Sequence, residues 1–299
     1  MKAIGEETLH RIASEIIRTS STRIAPDALE LLKQSRAKER NAAAKKILDT
    51  MILNVKLAAE EDKPVCQSPG YPVVYATLGG NIKLEANIRR VFQEAMIEAT
   101  KAGYLRPSIV HPLTRENLGD NSGIGVPDVE IEYEPLADHA DFVISFKGCG
   151  AELGNVLKVL TPAQVGKDGV GIKRVVLDSI VKAGGIPCPP VAIGVGIGGQ
   201  MHCAAKLSRK ATGVRSWMDK NPSQELAELE EELLESVNSL GIGPAGIGGD
   251  TTALTVKIEM VYTHTAICPV AVNFHCWTAR RSGARIYSDG SLEYLYGKA

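Results

Sequence analysis

The chain lacks an excess of either charge: 34 Lys and Arg stand against 35 Asp and Glu in 299 residues, for a formal net charge of -1. Nothing in that balance draws in a polyanion through bulk electrostatics, so nucleic acid is not an expected partner. Long hydrophobic runs are missing too. A membrane span needs about eighteen apolar residues in succession, and no stretch approaches that length. The opening residues, Met-Lys-Ala-Ile-Gly-Glu-Glu-Thr, place acids where a signal peptide needs an apolar run. A cytoplasmic protein is expected, with its six cysteines reduced rather than paired in disulfides. Internal repeats, low-complexity tracts and a P-loop lysine pattern are absent.

What is present reads as a folded enzyme-sized protein. Hydrophobic residues make up 44% and charged residues 23%, near the globular average, and the length can bury a sizeable core. The expected class is α/β, of the mixed α+β kind, with a helical N-terminal lobe followed by mixed sheets flanked by helices. In the lobe, residues 1–62, Leu9, Ile12, Ala13, Ile16 and Ile17 recur at helical spacing. Pro26 suits the start of a second helix reaching Leu32, and a third is expected from Ala37 to Glu61. Residues 63–299 form the α/β region, expected to be continuous with the lobe in one domain. Strands are expected at 73–78, 129–133, 141–146, from Val191, at 253–262 and at 270–275, with a hairpin around Asp289-Gly290. Helices are expected at 83–103, 171–183, 200–210 and 222–240. The loop 108–126 is long for a compact domain, and such loops tend to carry function.

The stretch Pro187-Cys188-Pro189-Pro190 is the most informative. Its prolines fix the backbone on both sides of the thiol, which is thus presented by a stiff, extended corner at the start of a core strand. Cys66 shares that context, on a turn beside proline and glycine, and Cys276 likewise lies at an expected strand end. Their separation is far from the close C-x-x-C spacing of zinc ribbons or ferredoxins, so spacing does not mark a metal site. Cys149, Cys203 and Cys268 compete with them; the last two fit a packing role, while Cys149 lies in the glycine turn Lys147-Gly148-Cys149-Gly150. Gly194-Val-Gly-Ile-Gly-Gly199 matches the G-x-G-x-x-G dinucleotide fingerprint, leaving an NAD-binding oxidoreductase as an alternative. Its ribose-binding acid would have to be Asp219, which no strand precedes, and Gly241 to Gly246 matches the same pattern by chance.

Taken in order, Cys66-Gln67 with Gly70, Lys147-Gly148-Cys149-Gly150, Pro187-Cys188-Pro189-Pro190, Leu207-Ser-Arg-Lys-Ala211, Gly248-Gly-Asp-Thr-Thr252 and Cys276-Trp-Thr-Ala-Arg-Arg281 cover nearly the whole chain. Together they resemble the alpha chain of the two-subunit iron-sulfur hydro-lyases, the L-tartrate dehydratase and class I fumarase group. The resemblance implies a 4Fe-4S cluster held by Cys66, Cys188 and Cys276, with one iron not ligated by protein. That iron would bind the hydroxyl and a carboxylate of a C4 hydroxy-diacid, malate or tartrate. By the same resemblance His264, twelve residues before Cys276, is the catalytic histidine near the reacting hydroxyl. Gln67, Ser68, Arg106 and the backbone of Gly148, Cys149 and Gly150 are implied to contact substrate.

One departure stands out. The family commonly reads Cys-Gln-Asp-Thr-Gly, whereas this chain has Ser68 and Pro69. Serine exchanges hydrogen bonds but is a far weaker acid or base than aspartate. A cluster-binding homologue without turnover is therefore a further alternative. Single-chain relatives continue into a second domain that supplies arginines, a lysine and a threonine proposed as base, so a separate beta subunit is expected to complete the active site in an alpha-beta hetero-oligomer.

Overall fold

A computed structural model describes residues 3–296. In chain order the elements are β1 (Ile4–Gly5), α1 (Glu6–Thr22), α2 (Pro26–Lys38), α3 (Ala42–Glu60), β2 (Tyr71–Gly79), β3 (Leu84–Glu85), α4 (Ile88–Lys101), β4 (Asp128–Glu134), β5 (His139–Lys147), α5 (Cys149–Leu153), β6 (Val156–Leu160), α6 (Pro162–Val165), α7 (Val170–Ala183), β7 (Val191–Ile197), α8 (Met201–Gly213), α9 (Gln224–Ser239), β8 (Ala253–Met260), β9 (Cys268–His275), β10 (Arg281–Tyr287) and β11 (Leu292–Leu295). The mixed α/β class is as the sequence predicts. The chain divides into two compact units, one built from the segment up to Pro26, Asn54–Lys147 and the segment from Arg280, the other from Asp27–Leu53 and Gly148–Ala279.

The first unit is a five-stranded sheet in the order β11-β10-β5-β2-β4, with β2 and β4 parallel and the other pairs antiparallel. Its core joins Leu9, Ile12 and Ile16 of α1 and Val91, Phe92 and Met96 of α4 to Val74, Phe142, Ile144 and Ala284 of the sheet. Burying a large apolar side chain contributes about 1.5–3 kcal/mol. The α1 stripe is therefore held by the sheet and α4. The 1–62 segment is accordingly shared out, with α1 in the first unit and α2 and the start of α3 in the second. Periodicity identifies the apolar face of a helix but not what covers it.

Two helix starts differ from expectation for a local reason. Helix α3 begins at Ala42 because the Asn41 side chain accepts hydrogen bonds from Ala43 N (2.9 Å) and Ala44 N (3.2 Å). Helix α4 begins after Asn87, whose side chain accepts from Arg90 N at 3.1 Å, while Leu84–Glu85 before it pairs with β1.

The second unit is a four-stranded sheet, β6-β9-β7-β8, in which β7 and β8 are parallel and β7 and β9 antiparallel. Edge strand β6 is not apparent in the residue pattern; Leu157 and Val159 remain partly exposed and blur its alternation. Val191, Ile193, Val195 and Ile197 of β7 join Val176 and Ile180 of α7 and Leu233 and Val237 of α9 in one core. Ala192, Gly194 and Gly196 face α8 on the other side. A Cβ on Gly194 would run into the Ser208 carbonyl, and one on Gly196 into that of Ala204. Strand β7 is thus buried on both faces, which is why it reads as a continuous apolar run.

A buried ionic network flanks edge strand β8. One oxygen of Glu230 accepts from Arg215 Nη1 (2.9 Å), Asn221 Nδ2 (2.9 Å) and Ile258 N (2.7 Å), and Lys257 Nζ donates to Asp219 Oδ1 at 2.8 Å. Burial pushes the Asp219 carboxyl up, but hydrogen bonds from Arg215 and Lys257 outweigh it and hold the group below the usual carboxylate range. Replacing one member of such a set strands the others, so Glu230→Ala is expected to lose about 3–5 kcal/mol in denaturant titrations. A depressed folded pKa adds stability that is present above the unfolded value, about 3.9, and lost as pH falls through the folded one. Asp219→Asn should therefore be less stable than wild type at neutral pH and lose less on acidification below about pH 4, as followed by unfolding midpoints against pH.

Candidate active site

The thiol corner is built by the turn that ends α7. Cys188 N donates to the Gly185 carbonyl at 3.1 Å, and Cys188 adopts a left-handed φ of 58° between two prolines. That conformation is costly for a residue with a Cβ and persists only where the surroundings impose it. The glycine-rich loop after α9 does so. Ala245 N donates to the Pro189 carbonyl (2.8 Å), Val191 N donates to that of Thr252 (3.0 Å), and a Cβ on Gly246 would come within 2.7 Å of Gly185 Cα. The same loop is fixed at its far end by buried Glu39, which accepts from Asp250 N at 2.9 Å, and by Arg40, whose guanidinium is paired with the Asp250 carboxylate. Gly248-Gly-Asp-Thr-Thr252 is therefore a buttress for the corner, a role its composition alone does not disclose.

The glycine turn rests against the same corner. A Cβ on Gly150 would meet the Ile186 carbonyl at 2.5 Å, and one on Gly154 would meet the Phe274 ring at 2.9 Å and Pro187 at 3.2 Å. Gly148 to Gly150 open the short helix α5, where a simple turn was expected. Register brings in the next thiol. Ala192 of β7 pairs with His275 of β9, so Cys276 leaves the sheet at the end where Cys188 enters it. Cys188 is exposed and Cys276 buried. The Cys276 Sγ lies 2.9 Å from the hydroxyl of Thr278, a member of the Cys276-Trp-Thr-Ala-Arg-Arg281 motif to which the sequence assigns no role.

His264 lies elsewhere. Strand β8 runs parallel to β7 and ends at Met260, and β9 returns from Cys268 to His275, so the connecting loop sits at the opposite end of the sheet from Cys188 and Cys276. Eight strand residues at about 3.3 Å each put some 25 Å between the two ends. His264 is exposed, and its Nδ1 accepts from Ala266 N at 3.2 Å.

Cys66, Gln67, Ser68 and Arg106 belong to the first unit. Cys66 is half-buried after Val65, which is pinned by Val65 N to the Ser21 carbonyl (2.9 Å) and by Asn54 Nδ2 to the Val65 carbonyl (2.9 Å). Gln67 and Arg106 are exposed. The segment after Arg106 is organised by buried Asn121, which donates to the Arg106 carbonyl (3.1 Å) and Thr100 Oγ1 (2.9 Å) and accepts from Ser108 N (2.8 Å). Among the described residues no carboxylate pairs with the Arg106 guanidinium, so its fork is open to an anion.

The G-x-G-x-x-G segment is filled by its own chain. Besides the helix packed on Gly194 and Gly196, a Cβ on Gly198 would strike the Val261 carbonyl and one on Gly199 would meet Cys203 Cβ at 2.6 Å. The glycines serve helix–strand and loop packing where a dinucleotide would need open backbone.

The α/β scaffold brings two thiol segments and a glycine turn to one end of its second sheet, and the comparisons give the class of the chain. A family model for fumarate hydratase (Fumerase) matches residues 10–285. The chain belongs to that family and is a hydro-lyase. It is 41% identical over 286 residues to a protein of Methanocaldococcus jannaschii provisionally named L(+)-tartrate dehydratase subunit alpha, covering 94% of this chain and 98% of that one. The L(+)-tartrate dehydratase subunits alpha of Escherichia coli K12 and Shigella sonnei are 34% identical over 287 residues, 96% of this chain and 93% of theirs.

Because α8 lies directly on β7, Gly194→Ala is expected to lower stability by about 1–3 kcal/mol through overpacking. Equilibrium dialysis of the wild type against NAD should show no retention; saturable binding abolished by Gly194→Ala would restore the nucleotide reading.

Proposed function

We propose that the chain is the alpha subunit of a two-chain hydro-lyase that reversibly removes water from a C4 2-hydroxy dicarboxylic acid, malate to fumarate or tartrate to oxaloacetate. The observation that carries this reading is the shared end of the sheet holding Cys188, Cys276 and the Gly148 to Gly150 turn, in a chain whose relatives are named as tartrate dehydratase alpha subunits.

Among the described residues no three His, Cys, Asp or Glu side chains gather as ligands of a single metal ion. A four-iron cluster makes a different demand, one thiolate for each iron that the protein holds. Cys188 on its corner and Cys276 at its strand end fit that donor chemistry, and by resemblance Cys66 is the third. When bound, a cluster with one iron free of protein ligands supplies a Lewis acid for the departing hydroxyl. The remaining work falls to side chains. Arg106 grips a carboxylate through its planar fork. Gln67, Ser68 and the Gly148 to Gly150 backbone offer hydrogen bonds that orient the substrate. Ser68 does not move protons well at neutral pH, so the base comes from a beta subunit.

The position of His264 adds a condition. A histidine at the far end of the sheet serves a site on another copy of the chain more readily than the one at its own thiol end. Co-expression of His264→Ala with Cys188→Ala should then restore about a quarter of the wild-type sites through mixed dimers. Inactive mixtures would return His264 to its own chain or to a packing role.

The cluster is tested by iron and acid-labile sulfide after anaerobic reconstitution. About four of each per wild-type chain, lost in a folded Cys188→Ala variant, is the expected result. The loaded protein, assayed with its partner subunit, should dehydrate malate or tartrate. A loaded protein that turns over neither would favour the non-catalytic homologue that Ser68 suggests, and a folded wild type that stays iron-free overturns the reading.

A further inference from the structure

We propose that Thr278 is a positioning residue for the sulfur of Cys276, an inference that rests on the cluster reading above. Its hydroxyl lies 2.9 Å from Cys276 Sγ. Both residues are buried, Thr278 at 2% and Cys276 at 8% exposure. The contact is produced by the backbone. Ala279 N donates to the Cys276 carbonyl at 3.1 Å, and Ala279 takes a φ of 40°, closing a tight turn that folds Thr278 back over the thiol two residues before it. A β-branched side chain has few χ1 choices, so the hydroxyl is held on the sulfur and not merely near it. At this depth water does not replace the sulfur as its partner.

Either atom of the pair could donate as long as the thiol keeps its proton. A sulfur bound to metal has none, so the hydroxyl is then the donor and the sulfur the acceptor. Hydrogen bonds to ligand sulfurs are among the levers that set a cluster's reduction potential, and outer partners of this kind hold ligands in place. A donor at the sulfur favours the reduced, more negative form of the bound group. Removing it should lower the potential and loosen the ligand.

The test compares wild type, Thr278→Val and Thr278→Ser after anaerobic reconstitution, each isolated with any partner subunit that accompanies the chain. Valine keeps the shape and lacks the hydroxyl; serine keeps the hydroxyl. The readouts are the midpoint potential by spectroscopically monitored titration and the rate of iron loss to a chelator. Thr278→Val is expected at a more negative midpoint, with iron lost about 10–100-fold faster, and Thr278→Ser close to wild type in both. Thr278→Ala, which cannot overpack the site, replaces the valine variant if that fails to fold. Identical potentials and rates in loaded wild type and the hydroxyl-free variant overturn the proposal and leave the cluster reading standing. A wild type that takes up no iron overturns both.

Discussion

The close approach of α8 to β7 is the constraint from which the second unit follows. With no side chain at Gly194 or Gly196, the helix backbone lies where a Cβ would be, and the strand is covered on that face by main chain. Its other face is packed by α7 and α9. A strand covered on both faces belongs inside a sheet, so partners are needed along both edges, and β8 and β9 take them. Once β9 runs antiparallel in the observed register, the chain leaving His275 arrives where the chain entering Val191 begins. The meeting of the Cys188 and Cys276 segments is thus a by-product of a packing problem solved well inside the sheet.

The corner itself is held by a different means. A left-handed Cys188 is not self-sustaining, and the hydrogen bonds to its flanking residues come from a loop whose glycines admit close backbone contact. That loop is tied in turn by Glu39 and Arg40, residues remote in sequence. The glycine-rich segments of this chain therefore act in pairs of backbone surfaces. This explains why the fingerprint at Gly194 to Gly199 has a nucleotide-binding pattern but not the open backbone such binding needs.

Much of this was legible in the residues. The apolar stripes of α1, α4 and α9, the unbroken β7 run and the proline-flanked thiol each declare themselves locally. The starts of α3 and α4 lie several residues after those expected, because the helical periodicity runs past Asn41 and Asn87, whose side chains cap the backbone there. Other features were not legible. Which surface α1 covers, and how residues 1–62 divide between units, depend on partners distant in sequence. Strand β6 carries too little alternation to stand out. Thr278 is an ordinary residue until a turn brings its hydroxyl onto Cys276, and the remoteness of His264 follows from strand direction, which no local spacing encodes.

The acidic side chains sharpen the question of where the proton goes. Hydrogen bonds from Tyr104 and then Arg18 hold Asp62, shortly before Cys66, below its usual range. Asp250, within the loop that supports Cys188, is held at about 2 by Arg40. Asp219 is depressed by Arg215 and Lys257 despite its burial. A carboxylate so stabilised is a poor proton acceptor at neutral pH, because its conjugate acid is far too strong. These acids are committed to holding the scaffold, and the position where the family commonly has aspartate carries serine. The chain offers thiols, a guanidinium and hydrogen-bonding backbone, groups that bind and orient. The proposed reaction therefore assigns proton transfer away from these three acids, which is a physical reason for proposing that a partner subunit completes the site.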